Sequence, residues 1–261
     1  MEVTLSAEKL FQIGPLPITN TILTTWIVTA VLIAFALLAT KKVTAPPRVD
    51  SPRSVGAGKR MRVEAGVPQG LQNVAEAMIE AFQDFVSSIA GEKTKVFLPI
   101  IASFFFFILF GNYLGLLPGF GTIGFWHGDT FVPLLRSINS DLNTTAALAI
   151  VSLIATHYLA VKYLGLGGYL KKFLSPNPVF LFIGILEIIG ELTKILSLSF
   201  RLFGNIFAGE VLLTTASTKL FAFIIPIPFY FLEILVGFVQ ATIFAMLTLV
   251  FMVILTEKAE H

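Results

Sequence analysis

Glu187, Glu191, Lys194, Arg201 and Glu210 stand in one long apolar run, and Glu233 stands in the next. Carboxylates at membrane depth exchange protons with water, and burial or a neighbouring charge tunes how tightly they hold them. An arginine does not take part in such exchange, because its guanidinium keeps its proton in proteins. A charge near the middle of an apolar helix costs about 2.5–3.5 kcal/mol even on the gentlest insertion scale, so it normally faces a partner or a wet cavity. The pattern is acids on either side of a permanent cation. It reads as two half-paths for protons or ions, with Arg201 as the block between them. Protons entering past Glu210 and Glu233 and leaving past Glu187 need a moving carrier to pass the arginine. No such element stands in this chain, so a partner is expected to supply it.

The spacing adds detail. Glu187, Glu191, Lys194, Leu198, Arg201 and Asn205 recur at intervals of 3 and 4, which predicts one shared helical face. Glu210 lies nine residues past Arg201, on the opposite side of a helix turning about 100° per residue. Glu233 and Gln240 are seven apart and share a face, and an antiparallel hairpin can bring Glu233 near Glu210. Plainer readings stand beside these. Glu191 and Lys194, at i and i+3, suit a structural ion pair. Gln240 suits helix-packing glue. Arg201 could pair with Glu210 or Glu233, and Gly204, Ala208 and Gly209 could serve close packing.

The elements that must position these residues are membrane helices. Of 261 residues, 56% are hydrophobic and 13% charged, too little polar surface to cover a soluble core. The fold expected is an all-α membrane protein in one polytopic domain, with about five membrane-embedded helices and one amphipathic helix. Residues 1–20 lack a basic start, and no small-residue cleavage pattern follows the apolar run, so an uncleaved segment is expected. The first span is 22–39. Residues 40–70 form a basic, irregular loop: seven Lys/Arg from Lys41 to Arg62 face two acids, among four prolines and four glycines. Without interleaved aromatics it does not read as a nucleic-acid binder. Residues 71–90 are amphipathic, with Leu71, Val74, Ala75, Met78, Phe82, Phe85 and Ile89 on one stripe. A second span covers 96–117 and ends at Pro118-Gly119, and a third covers 144–164. Residues 165–178 read as a short loop. There is no cysteine, which excludes disulfides and thiolate metal sites. His127, His157 and His261 are scattered, and neither a metal nor a cofactor is expected.

The basic residues orient these spans. With the N-terminus outside, the inner side holds the seven of the basic loop with Lys93, Lys95, Lys162, Lys171, Lys172 and Lys258. The outer side holds only Lys9, Arg136 and Lys219, so the positive-inside rule places the C-terminus inside. Residues 179–216 and 220–256 are too long for simple spans. As straight helices each reaches about 55 Å at 1.5 Å per residue, against a hydrocarbon core of about 30 Å. A long, steeply tilted hairpin over 179–256, turning near Ser217-Thr218-Lys219, reconciles the two. Its slanted surface suits another round membrane object.

Ser199-Phe200-Arg201-Leu202-Phe203-Gly204-Asn205-Ile206-Phe207-Ala208-Gly209-Glu210 closely resembles the signature of subunit a of rotary F-type ATP synthases. Gln240-Ala241-Thr242-Ile243-Phe244 resembles its companion motif, and Asn112 to Pro118 and Asp141-Leu142-Asn143 look like the corresponding earlier segments. The resemblance covers most of 71–256. It implies a non-catalytic channel subunit that couples proton flow to rotation of a c-ring, whose hairpins carry the missing membrane carboxylate. It also implies contact with peripheral-stalk (b-type) subunits and membrane lipid, in a bacterial inner membrane more readily than a thylakoid one. By the same resemblance Arg201 faces the ring, with Gln240 beside it. Glu210 and Glu233 line the outer half-channel, with Asn112, Asp141 and Asn143 near it. Glu187 lines the inner one with Glu191 and Lys194. Some relatives carry a histidine where Glu210 or Glu233 stands. A sodium-coupled version of the subunit and a stand-alone ion transporter are the alternatives, the second disfavoured because no internal repeat occurs.

Overall fold

A computed structural model describes residues 7–40, 71–117, 120, 123–127, 130–173, 178–219 and 226–257. The basic loop of 40–70 lies almost wholly outside the described residues. Six α-helices carry the fold: α1 (Asn20–Thr40), α2 (Leu71–Ala90), α3 (Thr94–Gly115), α4 (Leu142–Phe173), α5 (Pro178–Lys219) and α6 (Pro226–Thr256). Two short antiparallel hairpins decorate one end, β1 (Lys9–Ile13) with β2 (Leu16–Thr19), and β3 (Gly124–His127) with β4 (Thr130–Pro133). Gly14 turns the first of them with a φ of 60°.

The chain is an all-α membrane protein. Among the described residues, four stretches are long and apolar enough to cross a bilayer: Asn20–Leu38, Ala77–Gly115, Leu142–Phe173 and Pro226–Thr256. Helix α5 is longer than any of them, but its six charges dilute its apolarity. At 42 residues it runs about 63 Å.

Two expectations need correcting. Residues 165–178 are not simply a loop. Gly165 adopts φ 72° and ψ 161°, which kinks α4, and the helix then continues to Phe173. The positive φ, which glycine tolerates, breaks the helical path there, and a second helical segment resumes beyond it, so the cue for a stop marks a kink between two helical segments. The predicted turn at Ser217-Thr218-Lys219 is helical, and α5 runs through Lys219. Helix α6 begins only at Pro226, which fits proline at a first helical position.

The core lies where α3, α4, α5 and α6 meet. Phe97, Ile101 and Ile108 of α3, Leu159 of α4, Leu202 of α5 and Phe244, Leu249 and Met252 of α6 are buried in it. Phe104 and Phe244 set their rings 5.6 Å apart. In a bilayer such contacts gain by packing, and polar pairs add about 0.6 kcal/mol each on average. Ser152 and Thr248 make one such pair between α4 and α6 at 2.9 Å. Thr145 and Ser199 make another between α4 and α5 at 3.3 Å. Gly184 lets α5 cross the end of α4, since a side chain there would overlap the Phe173 backbone.

The last turn of α6 is closed from outside the helix. Lys93 Nζ donates to the Thr256 carbonyl at 3.1 Å, and Lys172 Nζ donates to Ile254 and Leu255 carbonyls at 3.1 and 3.0 Å. These carbonyls have no partner within the helix, and the negative end of its dipole favours the two ammonium groups.

Candidate functional site

Near Arg201, α5 has two unlike faces. Leu198, Leu202, Ile206 and Gly209 are buried against the bundle, while Ser197, Arg201, Gly204, Asn205 and Ala208 are exposed. The single face predicted for Glu187 through Asn205 therefore divides. Glu191 and Leu198 turn inward, and Arg201 and Asn205 turn outward. At 100° per residue these positions straddle a stripe about 80° wide, with Glu191 and Leu198 toward one edge and Arg201 at the other, so the boundary between buried and exposed surface runs through it. Arg201 Nη2 donates to Ser197 Oγ at 3.1 Å, one turn back. Asn205 Nδ2 donates to Gln240 Oε1 at 2.6 Å, which ties α5 to α6 one turn past the arginine. Gln240 is buried and engages Asn205 directly. An open, charged face bordered by small residues results.

On one side of Arg201, about 15 Å away along α5 at 1.5 Å per residue, lies a cluster named inner for the side that the basic residues predict. Glu191 Oε1 accepts from Lys194 Nζ at 2.7 Å, and Lys194 also sits 4.5 Å above the Phe251 ring. Glu191 Oε2 lies 3.7 Å from His157 Nε2 on α4. The other ring nitrogen of His157 pairs with Tyr169 Oη at 2.9 Å. Glu187 is half-buried a turn further along and near enough to exert its charge on His157, Tyr169 and Lys172.

On the other side, about 14 Å from Arg201, lies a second cluster, named outer on the same expectation. Glu233 of α6 is buried, and its carboxyl packs on Gly209 so closely that any side chain at 209 would collide with it. Glu210 is the next residue, and its charge acts on Glu233. Arg136 Nε lies 3.7 Å from Glu210 Oε2 and donates to Ser140 Oγ at 3.1 Å. Glu8, just before β1, completes the group. Burial pushes the Glu8 carboxyl above its ordinary value, Arg136 pulls it partly back, and Glu210 pushes it up again.

The comparisons with known proteins decide the family. The ATP synthase A chain family matches residues 22–253. ATP synthase subunit a of Moorella thermoacetica is 33% identical over 243 residues, covering 93% of each chain. That of Syntrophobacter fumaroxidans is 39% identical over 189 residues, 71% of each chain. That of Citrifermentans bemidjiense is 37% identical over 202 residues, 76% of this chain and 78% of its own. The chain belongs to the ATP synthase A chain family. In this family member the matched region takes in Arg201 and both clusters, whereas Glu8 lies ahead of it. It is a multi-pass integral membrane protein.

The remaining predicted residues of this family member have structural partners. Asp141 caps α4: its Oδ1 accepts from the Asn143 backbone N–H at 3.0 Å and from Asn143 Nδ2 at 3.2 Å. Its Oδ2 accepts from Thr21 Oγ1 of α1 at 3.0 Å. Asn112 Nδ2 donates to the Gly237 carbonyl at 3.0 Å, one turn past Glu233, and Asn112 Oδ1 accepts from Asn139 Nδ2 at 2.7 Å. Neither Arg136 nor His157 stood among the predicted site residues. Arg136 passed for a loop cation and His157 for a stray histidine. A signal existed for each: a buried span holding a histidine at 157, and a lone arginine in a loop otherwise poor in charge.

Proposed function

We propose that this chain is the membrane stator channel of a rotary ATP synthase, with two proton half-paths separated by Arg201. The observation that carries the reading is the exposed Arg201 face between two acid clusters that α5 holds apart. Exposed to lipid, that guanidinium would cost about 2.5–3.5 kcal/mol or more, so a partner bearing a negative group covers it. A ring of subunits, each with one membrane carboxylate, is such a partner. The deprotonated carboxylate is drawn to Arg201, takes a proton from one half-path and gives it up to the other. Arg201 never offers its own proton, so the halves stay separate.

Glu210 and Glu233 line the outer half-path, with Asn112 a turn from Glu233 and with Asp141 and Asn143 at its rim. Glu187, Glu191 and Lys194 line the inner one. Asn205 and Gln240 brace the α5–α6 crossing next to the arginine. The subunit makes and breaks no covalent bond in substrate. It converts proton flow into rotation of the c-ring, which drives ATP synthesis elsewhere in the complex. The peripheral-stalk subunits hold it against that torque. The basic residues favour an N-terminus outside and a C-terminus inside a bacterial plasma membrane.

The test is Arg201→Ala in the reconstituted complex. ATP-driven proton pumping should be abolished, with a passive proton leak in its place. Wild-type coupling in that variant would sink the two-half-path reading.

A further inference from the structure

Glu191 Oε2 is enclosed and finds no hydrogen-bond donor among the described residues, although its twin Oε1 is held by Lys194 at 2.7 Å. The titratable group facing Oε2 is His157 Nε2, at 3.7 Å. The Glu191 side chain is 9% exposed and that of His157 is 24% exposed. A proton on the hidden oxygen thus has a partly open imidazole as its neighbour. Tyr169 Oη fixes the ring from behind, on the far nitrogen. This chain of contacts bridges α5, the body of α4 and the segment of α4 beyond the Gly165 kink.

We propose that His157 is a proton station of the inner half-path, through which the buried Glu191 carboxyl exchanges its proton with the inner water, and that Tyr169 is its positioning residue. The inference rests on the proton-channel reading above. With Nδ1–H donating to Tyr169 Oη, Nε2 presents its lone pair to Glu191. The protonated carboxyl gives its proton to Nε2, leaving a carboxylate and an imidazolium. The imidazolium then releases one proton to water and returns to the neutral ring. Hydrogen-bond reach is about 2.6–3.2 Å, so the gap closes by a small side-chain rotation or through one water. The charged groups that face the ring from α5 are Glu191, Lys194 and Glu187, with Tyr169 alongside on α4.

The experiment uses the whole ATP synthase in vesicles, with pumping rate measured against inner-side pH. His157→Ala should slow pumping by about tenfold, the low end for a lost acid–base group being about 10² and water replacing part of it. One ionisation should vanish from its inner-side pH profile, and added imidazole should restore rate and profile in a dose-dependent way. Tyr169→Phe should shift the same ionisation with a smaller loss of rate. A purely packing role for His157 would lower the yield of intact complex and leave the profile of what assembles unchanged, with no rescue; that result overturns the proposal. If His157→Ala fails to assemble, the Tyr169→Phe profile decides, and an unshifted one overturns it. Arg201→Ala in parallel separates the two failures: a leak there with wild-type behaviour at His157 refutes only the station.

Discussion

The two acid clusters flanking Arg201 are built in opposite ways. The inner one is mostly local: Glu191 and Lys194 pair across one turn of α5, and a single neighbouring helix adds His157 and Tyr169. The outer one is assembled from four places in the chain. Glu8 comes from the N-terminal arm, Arg136 from the loop before α4, Glu210 from α5 and Glu233 from α6. The loop is pinned to α1 by Asn20 on the Pro133 carbonyl at 3.3 Å, Thr21 on Asp141, and the Arg136 N–H on Thr24 Oγ1 at 3.3 Å, and the arm by the Asn20 backbone N–H on the Glu8 carbonyl at 3.1 Å. A local pair survives small movements of the bundle. An assembled cluster depends on every segment that feeds it. On the proposed reading of the two clusters as half-paths, the assembled one should therefore be the more fragile and the local one the more tolerant.

Arg201→Ala is the largest expected effect, because it removes what both clusters have in common: coupled pumping should disappear. Arg136→Met comes next. Losing one partner of a buried ion pair costs about 3–5 kcal/mol, and the low end is expected because Glu210 is 29% exposed. The melting temperature and yield of the detergent-solubilised complex should fall. Lys194→Met, at the local pair, should lower both measures less. Equal losses would break the contrast between assembled and local clusters.

Gly209→Val sharpens the comparison from another side. Its side chain would displace the Glu233 carboxyl. Ångström-scale misplacement at a reacting group costs on the order of 10²-fold in rate, so proton-pumping rate should drop by one to two orders while the complex still assembles. Glu233→Gln should slow transport less severely than Arg201→Ala and change its pH dependence. An unaltered pH–rate profile would remove Glu233 from the path.

The smallest effect concerns Glu8. Its carboxyl is raised above the ordinary 4.5, with burial the largest cause. The native state then binds the proton more tightly than the unfolded one, so the stability this provides is present below pH 4.5 and is lost as pH rises through the folded value. Glu8→Gln should leave the melting temperature unchanged in acid and raise it slightly at neutral pH. A decrease at neutral pH would mean that Glu8 helps the assembled cluster as an anion.

Much of this was legible in the residues. The apolar runs announce the helices, because a bilayer admits no backbone that fails to pair with itself. The amphipathic stripe at 71–90 and the ion pair at Glu191 and Lys194 follow from helical period alone. The signature around Arg201 and the Gln240 motif carry the family. What period could not give was the direction of each face over several turns. Leu198 and Arg201 stand only three residues apart, yet one is buried and the other exposed.

The sequence by itself determined that this is a membrane protein with a fixed cation among acids, because those properties reside in residue type and short-range spacing. The tertiary structure decided which acids share a site. Arg136 and Glu210 are seventy-four residues apart in the chain and 3.7 Å apart in space. His157 meets Glu191 only because α4 packs along α5. Contacts between distant segments depend on how helices cross and where a kink such as Gly165 redirects the chain. Those are sums over many packing interactions, and no short stretch of sequence records them.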